Sequence, residues 1–416
     1  MKTSQTHLPS FFSSILFILG GLFLLSIALL MGITAFASLV MGTEVQPQQT
    51  IFLIAFGFEG ILLFAAAFFA MQKYLQKESA DQPVSHSTSF LQIILLVLLA
   101  GASILIGYFI AGTDIVNWLF LPLLTIPAIV LPLGVLLALG TRRLPFSTRW
   151  QTWTVLGLAM TLGPFLLFVL EIIIAILIFV GVVAYIMTQP ELVSELQLLS
   201  EQIMILGPQS EEAVELLSPF LTNPAVIAIA LLYIAVLVPA IEEIFKPIGV
   251  WLFASKLESP AQGFTLGALS GAGYALIETI GVSGQQTGEW ATLLFTRIGT
   301  GLLHITTSAI MGAAIVLAWR ERRYLRLLGS YLLAVSLHGL WNALAMVFTF
   351  STLATFLEQP GRLRALQPVM VIALAGLVIV LLAILTLANR RLRGTISPPL
   401  VEPTVPPTDT ETGEIM

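Results

Sequence analysis

The chain has 416 residues, of which 57% are hydrophobic and only 10% are charged, and its mean hydropathy is +0.97. Soluble domains carry about 25% charged residues, so this composition excludes a soluble domain and indicates an integral membrane protein. The formal net charge of −5 gives no indication of a nucleic-acid partner, and the lack of cysteine excludes disulfides, thiolate metal sites and cysteine nucleophiles.

Runs of about 20 apolar residues, each long enough to cross the hydrocarbon core as a helix, recur along the chain. Strand-type alternation is absent, so the runs predict an all-α, polytopic transmembrane helix bundle of about ten spans. The predicted spans are 11–41, 51–72, 91–112, 116–139, 151–187, 225–256, 262–282, 291–319, 327–350 and 367–389.

Lysine and arginine are concentrated in alternate connecting segments. One set of segments holds Lys2, Lys73, Lys77, Arg142, Arg143, Arg149, Lys256, Arg320, Arg322, Arg323, Arg326, Arg390, Arg391 and Arg393. The opposite set holds only Arg362 and Arg364. Because cytoplasmic loops carry the excess of Lys and Arg, this asymmetry predicts that both termini are cytoplasmic.

The first four spans make up an N-terminal region at 1–150. Two segments after this region differ from simple membrane crossings. The run 151–187 is longer than one crossing needs, and we interpret it as one tilted or kinked helix that bends at Gly163-Pro164. The segment 188–224 combines glutamates with leucines and has no Lys or Arg. It predicts short amphipathic helices on the extracytoplasmic side, which serve either as a solvated connection or as a lid that gates substrate access.

The C-terminal segment 394–416 is rich in proline and threonine. Such a composition cannot bury enough apolar surface to fold, so it predicts a disordered cytoplasmic tail. The region 151–393 before it contains the remaining spans and all the candidate functional residues.

Charged residues interrupt the apolar run 225–257 at Glu242, Glu243 and Lys246. A charge at bilayer depth costs about 2.5–3.5 kcal/mol on insertion scales, so such residues are rare and indicate function. Helical spacing places Lys246 on the same face as Glu242 and close to Glu243, which predicts partly paired charges.

Three later spans each add polar groups, namely Glu278, His304, and His338 with Asn342 one helical turn further on. A single intramembrane histidine or asparagine often only bonds a neighbouring helix, and a Glu–Lys pair can be structural. Four successive spans with polar groups at similar depth instead favour one buried functional site. Glu59 and Glu171 are isolated in earlier spans and are interpreted as structural.

Carboxylates with histidine and asparagine are the components of a hydrolytic site. A buried glutamate can be the general base for water, and His or Asn can stabilise an oxyanion. Alternatively His304, His338 and one glutamate, with Glu278 as the candidate, form a zinc-binding set that leaves a position open for water. The His-Glu-x-x-His motif is absent, so the spacing alone does not establish a metal.

The order of these motifs resembles the PrsW family of intramembrane proteases, which is related to the CAAX prenyl protease and Abi group. The motifs are Glu242-Glu243-x-x-Lys246, Tyr274-x-x-x-Glu278, His304 and His338-x-x-x-Asn342. The resemblance covers about 225–345, within a PrsW-like protease domain at 151–393. It implies a multi-pass enzyme of the plasma membrane that hydrolyses peptide bonds of membrane-anchored proteins, with anti-sigma-factor-like substrates as one class.

The resemblance also implies roles for individual residues. Glu242 is the candidate base that activates water, Glu243 is its partner, and Lys246 balances their charge. His304 and His338 are metal ligands or oxyanion stabilisers. Glu278 matches the PrsW pattern where the related group has histidine, whereas Tyr274 replaces the usual phenylalanine.

Asn342 is expected from the resemblance to orient or bind the oxyanion. The family is catalogued as metal-dependent, which implies zinc, whereas its relatives suggest a glutamate mechanism without a metal. Both alternatives remain open at the level of sequence, as does the oligomeric state.

Two other classes of function fit the polar cluster. In a proton-coupled carrier, the midplane Glu, His and Lys side chains relay protons, although no matched pair of broken helices in two repeated halves is evident. A catalytically silent membrane scaffold, similar to bacteriocin-immunity proteins, would keep the cluster for structure alone. Replacement of Glu242 distinguishes the three classes. It abolishes proteolysis if the protein is a protease, abolishes uptake if it is a carrier, and changes neither if it is a scaffold.

Overall fold

The computed structural model describes residues 7–84, 88–113, 116–207, 210–221, 223–283, 290–356 and 362–394. Within these ranges the chain is built from helices, and its β contacts are limited to an isolated antiparallel bridge between Pro83 and Thr148. The predicted all-α bundle is therefore confirmed. The tail predicted to be disordered lies outside the described residues, apart from Gly394.

The N-terminal region contains four long helices and one short helix. They are α1 (Leu8–Met41), α2 (Pro47–Tyr74), α3 (Glu78–Asp81), α4 (Phe90–Ala111) and α5 (Asn117–Gly140). Small residues allow α1 and α2 to pack closely, because a Cβ atom at Gly21 would lie 3.2 Å from the carbonyl oxygen of Gly60. α2 and α5 also contact later helices, so this region is part of one bundle with the rest of the chain.

A break divides the long run 151–187. α6 (Arg149–Met160) and α7 (Leu162–Met187) meet at Thr161, whose φ of −128° and ψ of −80° depart from helical geometry. Pro164 follows in the first turn of α7, where its missing N–H costs no helical hydrogen bond. The predicted bend is confirmed, and its centre lies at Thr161, just before Gly163-Pro164.

The acidic segment forms the short helices predicted for it, α8 (Pro190–Leu206) and α9 (Glu211–Leu221). No residue of α8 is buried, so both its leucine-rich and its acidic face are accessible. The two proposed roles of this segment, connection and lid, both stay predictions.

The apolar run that carries Glu242 was predicted as one span, but it is interrupted twice. It consists of α10 (Pro224–Leu232), a π-helical segment (Tyr233–Leu237), α11 (Val238–Phe245) and α12 (Ile248–Phe253). π-Helical turns are uncommon and occur frequently at functional sites. The second interruption, at Lys246-Pro247, lies within the predicted charged cluster.

The centre of the bundle is formed by α13 (Pro260–Ser283) and α14 (Trp290–Glu321). These helices run antiparallel and nearly touch through their backbones. A Cβ atom at Gly263 would lie 2.4 Å from the Gly312 carbonyl oxygen, and one at Gly271 would lie 2.2 Å from that of His304. Only glycine permits this approach, which fixes the relative height of the two helices in the membrane.

Two long helices complete the fold, α15 (Tyr324–Phe356) and α16 (Arg362–Arg393). α16 returns to the N-terminal region, where the Asn389 side-chain amide donates hydrogen bonds to the carbonyl oxygens of Gly140 and Arg142 at 2.7 and 3.1 Å. The last helix is thereby fixed to the end of α5.

Nine stretches of the described chain are long and apolar enough to cross a membrane. α13 is not among them because it is rich in glycine, serine and threonine, and most of its residues are buried in protein rather than exposed to lipid. Its 24 residues span about 36 Å and run antiparallel to α14, so it is a tenth helix of crossing length. The cytoplasmic location of both termini stays a prediction.

Candidate active site

Lys246 lies at the centre of the polar cluster. Its ammonium nitrogen is 2.6 Å from Glu242 Oε2 and 3.0 Å from Glu243 Oε1. The same atom is 2.8 Å from His304 Nδ1 and 3.2 Å from His338 Nδ1. All five side chains are buried. Two carboxylates and two imidazoles from three helices therefore surround one cation.

The break after α11 explains how Lys246 reaches this position. The Lys246 N–H still donates to the Glu242 carbonyl at 2.8 Å, but Pro247 has no N–H and the helix ends there. The Lys246 carbonyl instead accepts a hydrogen bond from Ser270 Oγ of α13 at 2.5 Å. The broken helix is thereby tied to the central pair of helices.

His304 is held by its neighbours on both ring nitrogens. Its Nε2 lies 2.8 Å from Glu278 Oε2, while its Nδ1 faces Lys246. The Tyr274 ring packs edge-on against it with the ring centroids 5.1 Å apart. Since an ammonium can only donate, Nδ1 accepts and Nε2 carries the proton that is donated to Glu278.

Glu278 is held by a second cation that we did not include in the predicted site. Arg297, two turns before His304 on α14, places a guanidinium nitrogen 2.7 Å from Glu278 Oε2. Its Nε also donates to Thr279 Oγ1 at 3.3 Å. Arg297 therefore fixes the carboxylate that in turn orients His304.

His338 contacts a different carboxylate, and it does so through the ring nitrogen that also faces Lys246. Its Nδ1 lies 2.8 Å from Glu243 Oε1, a shorter contact than the 3.2 Å to Lys246. We therefore assign the Nδ1 proton to the hydrogen bond with Glu243. The lone pair on Nε2 then faces Glu242 Oε2, which is 3.7 Å away.

Asn342 lies one turn beyond His338, but its side chain contacts the backbone of the π-helical segment. Its Nδ2 donates to the Ile234 carbonyl at 2.9 Å. On the same helix Tyr331 Oη donates to the Ala240 carbonyl at 2.8 Å, and a Cβ atom at Gly339 would lie 2.2 Å from the Ala235 carbonyl oxygen. α15 therefore supports the irregular stretch that leads to Glu242.

Glu171 of α7 was interpreted from the sequence as structural, but its carboxyl group interacts electrostatically with Glu242, Lys246 and Glu278 of the cluster. The Tyr233 hydroxyl donates to the Glu171 backbone carbonyl at 3.1 Å, which ties α7 to the π-helical segment. A lone carboxylate in a predicted span was the available signal. Glu59, the other such residue, is buried in α2 and has no contact with the cluster.

The charges of the site do not balance. Its charged side chains are Glu171, Glu242, Glu243, Glu278, Lys246 and Arg297. The carboxylates thus outnumber the cations by two. Such an excess at bilayer depth favours a bound cation or shared protons.

The cluster offers three ligands to a metal ion, which would have to displace the Lys246 ammonium from Glu242 and His304. Ligand atoms of Glu242, His304 and His338 all lie within 4.8 Å of one another, and all three residues are buried. Two histidines and a glutamate form a known type of catalytic zinc site, in which outer carboxylates usually orient the histidines. Glu278 and Glu243 are placed to do this. The metal ligands predicted from the sequence were His304, His338 and Glu278. In the structure the carboxylate close to both histidines is that of Glu242 instead.

The profile of the family described as PrsW family intramembrane metalloprotease matches residues 151–381, more than half of the chain. Searches of curated proteins and of solved structures found no match. The matched region contains every helix that contributes a side chain to the cluster. The chain therefore belongs to the PrsW family of intramembrane metalloproteases and is a membrane-embedded peptidase.

Proposed function

We propose that this protease cleaves membrane-anchored proteins in the plasma membrane and that Glu242 contacts the reacting water. The convergence of two carboxylates and two imidazoles on Lys246 is the observation that carries the proposal. Anti-sigma-factor-like proteins are one class of substrate that fits an enzyme with its site inside the bilayer.

Glu242 is the better candidate of the adjacent pair because its side chain is 10% exposed, whereas that of Glu243 is fully buried. The carboxyl group of Glu171 interacts electrostatically with Glu242, so a second carboxylate belongs to its surroundings. In the reaction without a metal, a proton leaves the attacking water for a Glu242 oxygen and is then passed to the nitrogen of the departing peptide.

The other polar residues prepare the site. Glu278 and Glu243 hold protons on His304 Nε2 and His338 Nδ1, which leaves His304 Nδ1 as an acceptor that faces Lys246 and His338 Nε2 as an acceptor that faces Glu242. Lys246 compensates the charge of the carboxylates. Asn342 acts by orienting the π-helical segment rather than by contact with the oxyanion.

In the metal-dependent alternative, Glu242, His304 and His338 would hold a zinc ion, and Glu242 would then be a ligand rather than the base. When bound, such an ion lowers the pKa of its water and polarises the carbonyl of the peptide bond. Elemental analysis of the purified full-length protein tests this. We expect on the order of one zinc ion per chain, lost in His338→Gln and retained in His7→Gln. A zinc-free protein with full activity would instead support the glutamate mechanism without a metal.

The proposed function is tested by comparing new protein termini in membranes of the native host. Matched strains express the wild type, Glu242→Gln or Glu59→Gln, and the last replaces a buried carboxylate outside the site. We expect termini in or beside transmembrane segments with the wild type and Glu59→Gln, and none of them with Glu242→Gln. Identical termini in all three strains would contradict the proposal.

A further inference from the structure

A cavity lies outside the active site, between the N-terminal region and the protease domain. It has a volume of about 640 Å³ and is lined by α4, α5, α6, α13 and the loop that follows α5. This volume is in the range of sites for small ligands, about 300–1,000 Å³. The lining of the cavity therefore combines helices that precede the PrsW region, α4 and α5, with helices that belong to that region, α6 and α13.

The cavity is polar at one end and apolar at the other. Arg142 and Arg143 follow the end of α5, and Gly134 lies about 9 Å from that end along the helix. Leu96, Leu156 and Leu269 line it from three other helices. An occupant must therefore combine a polar head with an apolar chain.

The polar end is positively charged. No carboxylate lines the cavity, and among the described residues neither guanidinium forms an ion pair. The backbone here is held in place, because Asn389 donates a hydrogen bond to the Arg142 carbonyl at 3.1 Å. Thr152, also in the lining, has a buried hydroxyl without a hydrogen-bond partner. These groups favour an anion that accepts several hydrogen bonds.

We propose that this cavity binds an anionic phospholipid, with its phosphate on Arg142 and Arg143 and part of an acyl chain beside Gly134. Arginine binds phosphate through two parallel hydrogen bonds, and basic pockets between membrane helices are typical sites for anionic headgroups. The loop after α5 is one of the arginine-rich segments of the chain, so both guanidinium groups lie at a membrane surface, where lipid headgroups are available.

The site is connected to the protease domain through α13. Leu269 lines the cavity, and the next residue, Ser270, bonds the carbonyl of Lys246. Leu156 lines it too and packs against Gly273, where a Cβ atom would lie 3.0 Å from its side chain. A lipid bound here supports the face of α13 that holds the broken helix, so we expect it to raise the melting temperature.

Thermal melting of the purified full-length protein in detergent, with added dioctanoyl phosphatidylglycerol, tests the proposal. Gly134→Leu adds a side chain to the lining of the cavity, and its Cβ atom has no neighbour within 4 Å. The matched control is Gly101→Leu in α4, which also has free space around its Cβ position. We expect a lipid-dependent rise in Tm for the wild type and the control, and its loss in Gly134→Leu.

A second variant tests the headgroup site independently. Replacing both Arg142 and Arg143 with glutamine removes two cations. We expect the two losses together to weaken the apparent affinity for the lipid about thirtyfold. Arg322→Gln with Arg326→Gln is the control, because these exposed arginines lie outside the cavity. An unchanged affinity in the Arg142 and Arg143 variant would overturn the proposal.

Two further ligands distinguish the source of the phosphate. We expect dioctanoyl phosphatidylcholine, which has no net charge, and inorganic phosphate, which has no chain, to raise Tm much less than phosphatidylglycerol does. An equal rise with phosphatidylcholine would contradict an anionic headgroup. An equal rise with inorganic phosphate would contradict a lipid and indicate a site for free phosphate.

Discussion

The two sides of the active site are held in place by different interactions. Glu278 and His304 lie on the central pair α13 and α14, whose backbones are in contact through glycines. Glu242, Glu243 and Lys246 lie on a helix that is interrupted before and after them. Close packing positions the first side, whereas the second side is positioned by hydrogen bonds from other helices and by one close approach, that of Gly339 to the Ala235 carbonyl oxygen.

The difference suggests a division of labour. Packed helices at fixed height hold a histidine and its carboxylate with little freedom, which suits a preorganised site. An interrupted helix supported by Ser270, Tyr331 and Asn342 can change conformation at the cost of a few hydrogen bonds. We expect the second side to be the one that adjusts when a substrate segment binds.

The largest effect is expected from Lys246→Ala on the interrupted side. The substitution leaves buried carboxylates without their cation, which costs about 3–5 kcal/mol of the free energy of unfolding and abolishes activity. Lys73→Ala, which breaks the accessible pair with Asp81, is the control and should cost about 0–1 kcal/mol. Thermal and denaturant unfolding in detergent measure both. A stable, active Lys246→Ala protein would show that the proposed pairing is wrong.

On the packed side, Gly271→Ala is expected to separate α13 from α14, because its Cβ atom would lie 2.2 Å from the His304 carbonyl oxygen. Overpacking of this kind costs about 1–3 kcal/mol, and here it also displaces His304. Gly281→Ala in the same helix, where no atom lies within 4 Å of the Cβ position, should be neutral. Equal melting temperatures for the two variants would refute close packing as the source of rigidity.

Arg297→Gln tests whether Glu278 needs its cation to orient His304. Loss of an outer partner of this kind lowers activity about 10–100-fold, while we expect a small change in Tm. Arg297→Lys should restore part of the activity because it restores the charge. A peptidase assay on the two purified variants measures this. Equal activity of Arg297→Gln and the wild type would show that Arg297 has no role in the site. If Arg297→Lys is no more active than Arg297→Gln, the geometry of the guanidinium matters rather than its charge.

The smallest effect is expected from Asn342→Leu, which leaves the Ile234 carbonyl without its hydrogen bond and costs about 1 kcal/mol. If the π-helical segment positions Glu242, the kcat of the folded variant should also fall, because the loss of stability alone leaves the folded enzyme as active as the wild type. Thr352→Val, on the exposed face of the same helix, is the control. Hydrogen exchange of residues 233–237 gives an independent measurement, and unchanged exchange would contradict the supporting role of Asn342.

Residues 242, 243, 246, 278, 304 and 338 could be predicted as a group because each places a polar side chain in an apolar span, which is a local signal. Glu171 carries the same signal but was set apart, since nothing in its neighbourhood along the chain indicates that α7 contacts α11. Arg297 is separated from Glu278 by a connection and lies beside it only after α13 and α14 pack.

The sequence by itself determined the membrane class, the crossing helices and the family, because hydropathy and motif order are properties of consecutive residues. Only the tertiary structure decided that Lys246 is shared by both histidines, that Glu242 rather than Glu278 is close to both of them, and that the helix of Glu242 is interrupted. These features depend on which faces of distant helices meet and on the glycine contacts that set their heights, and helical periodicity along one segment carries no information about either.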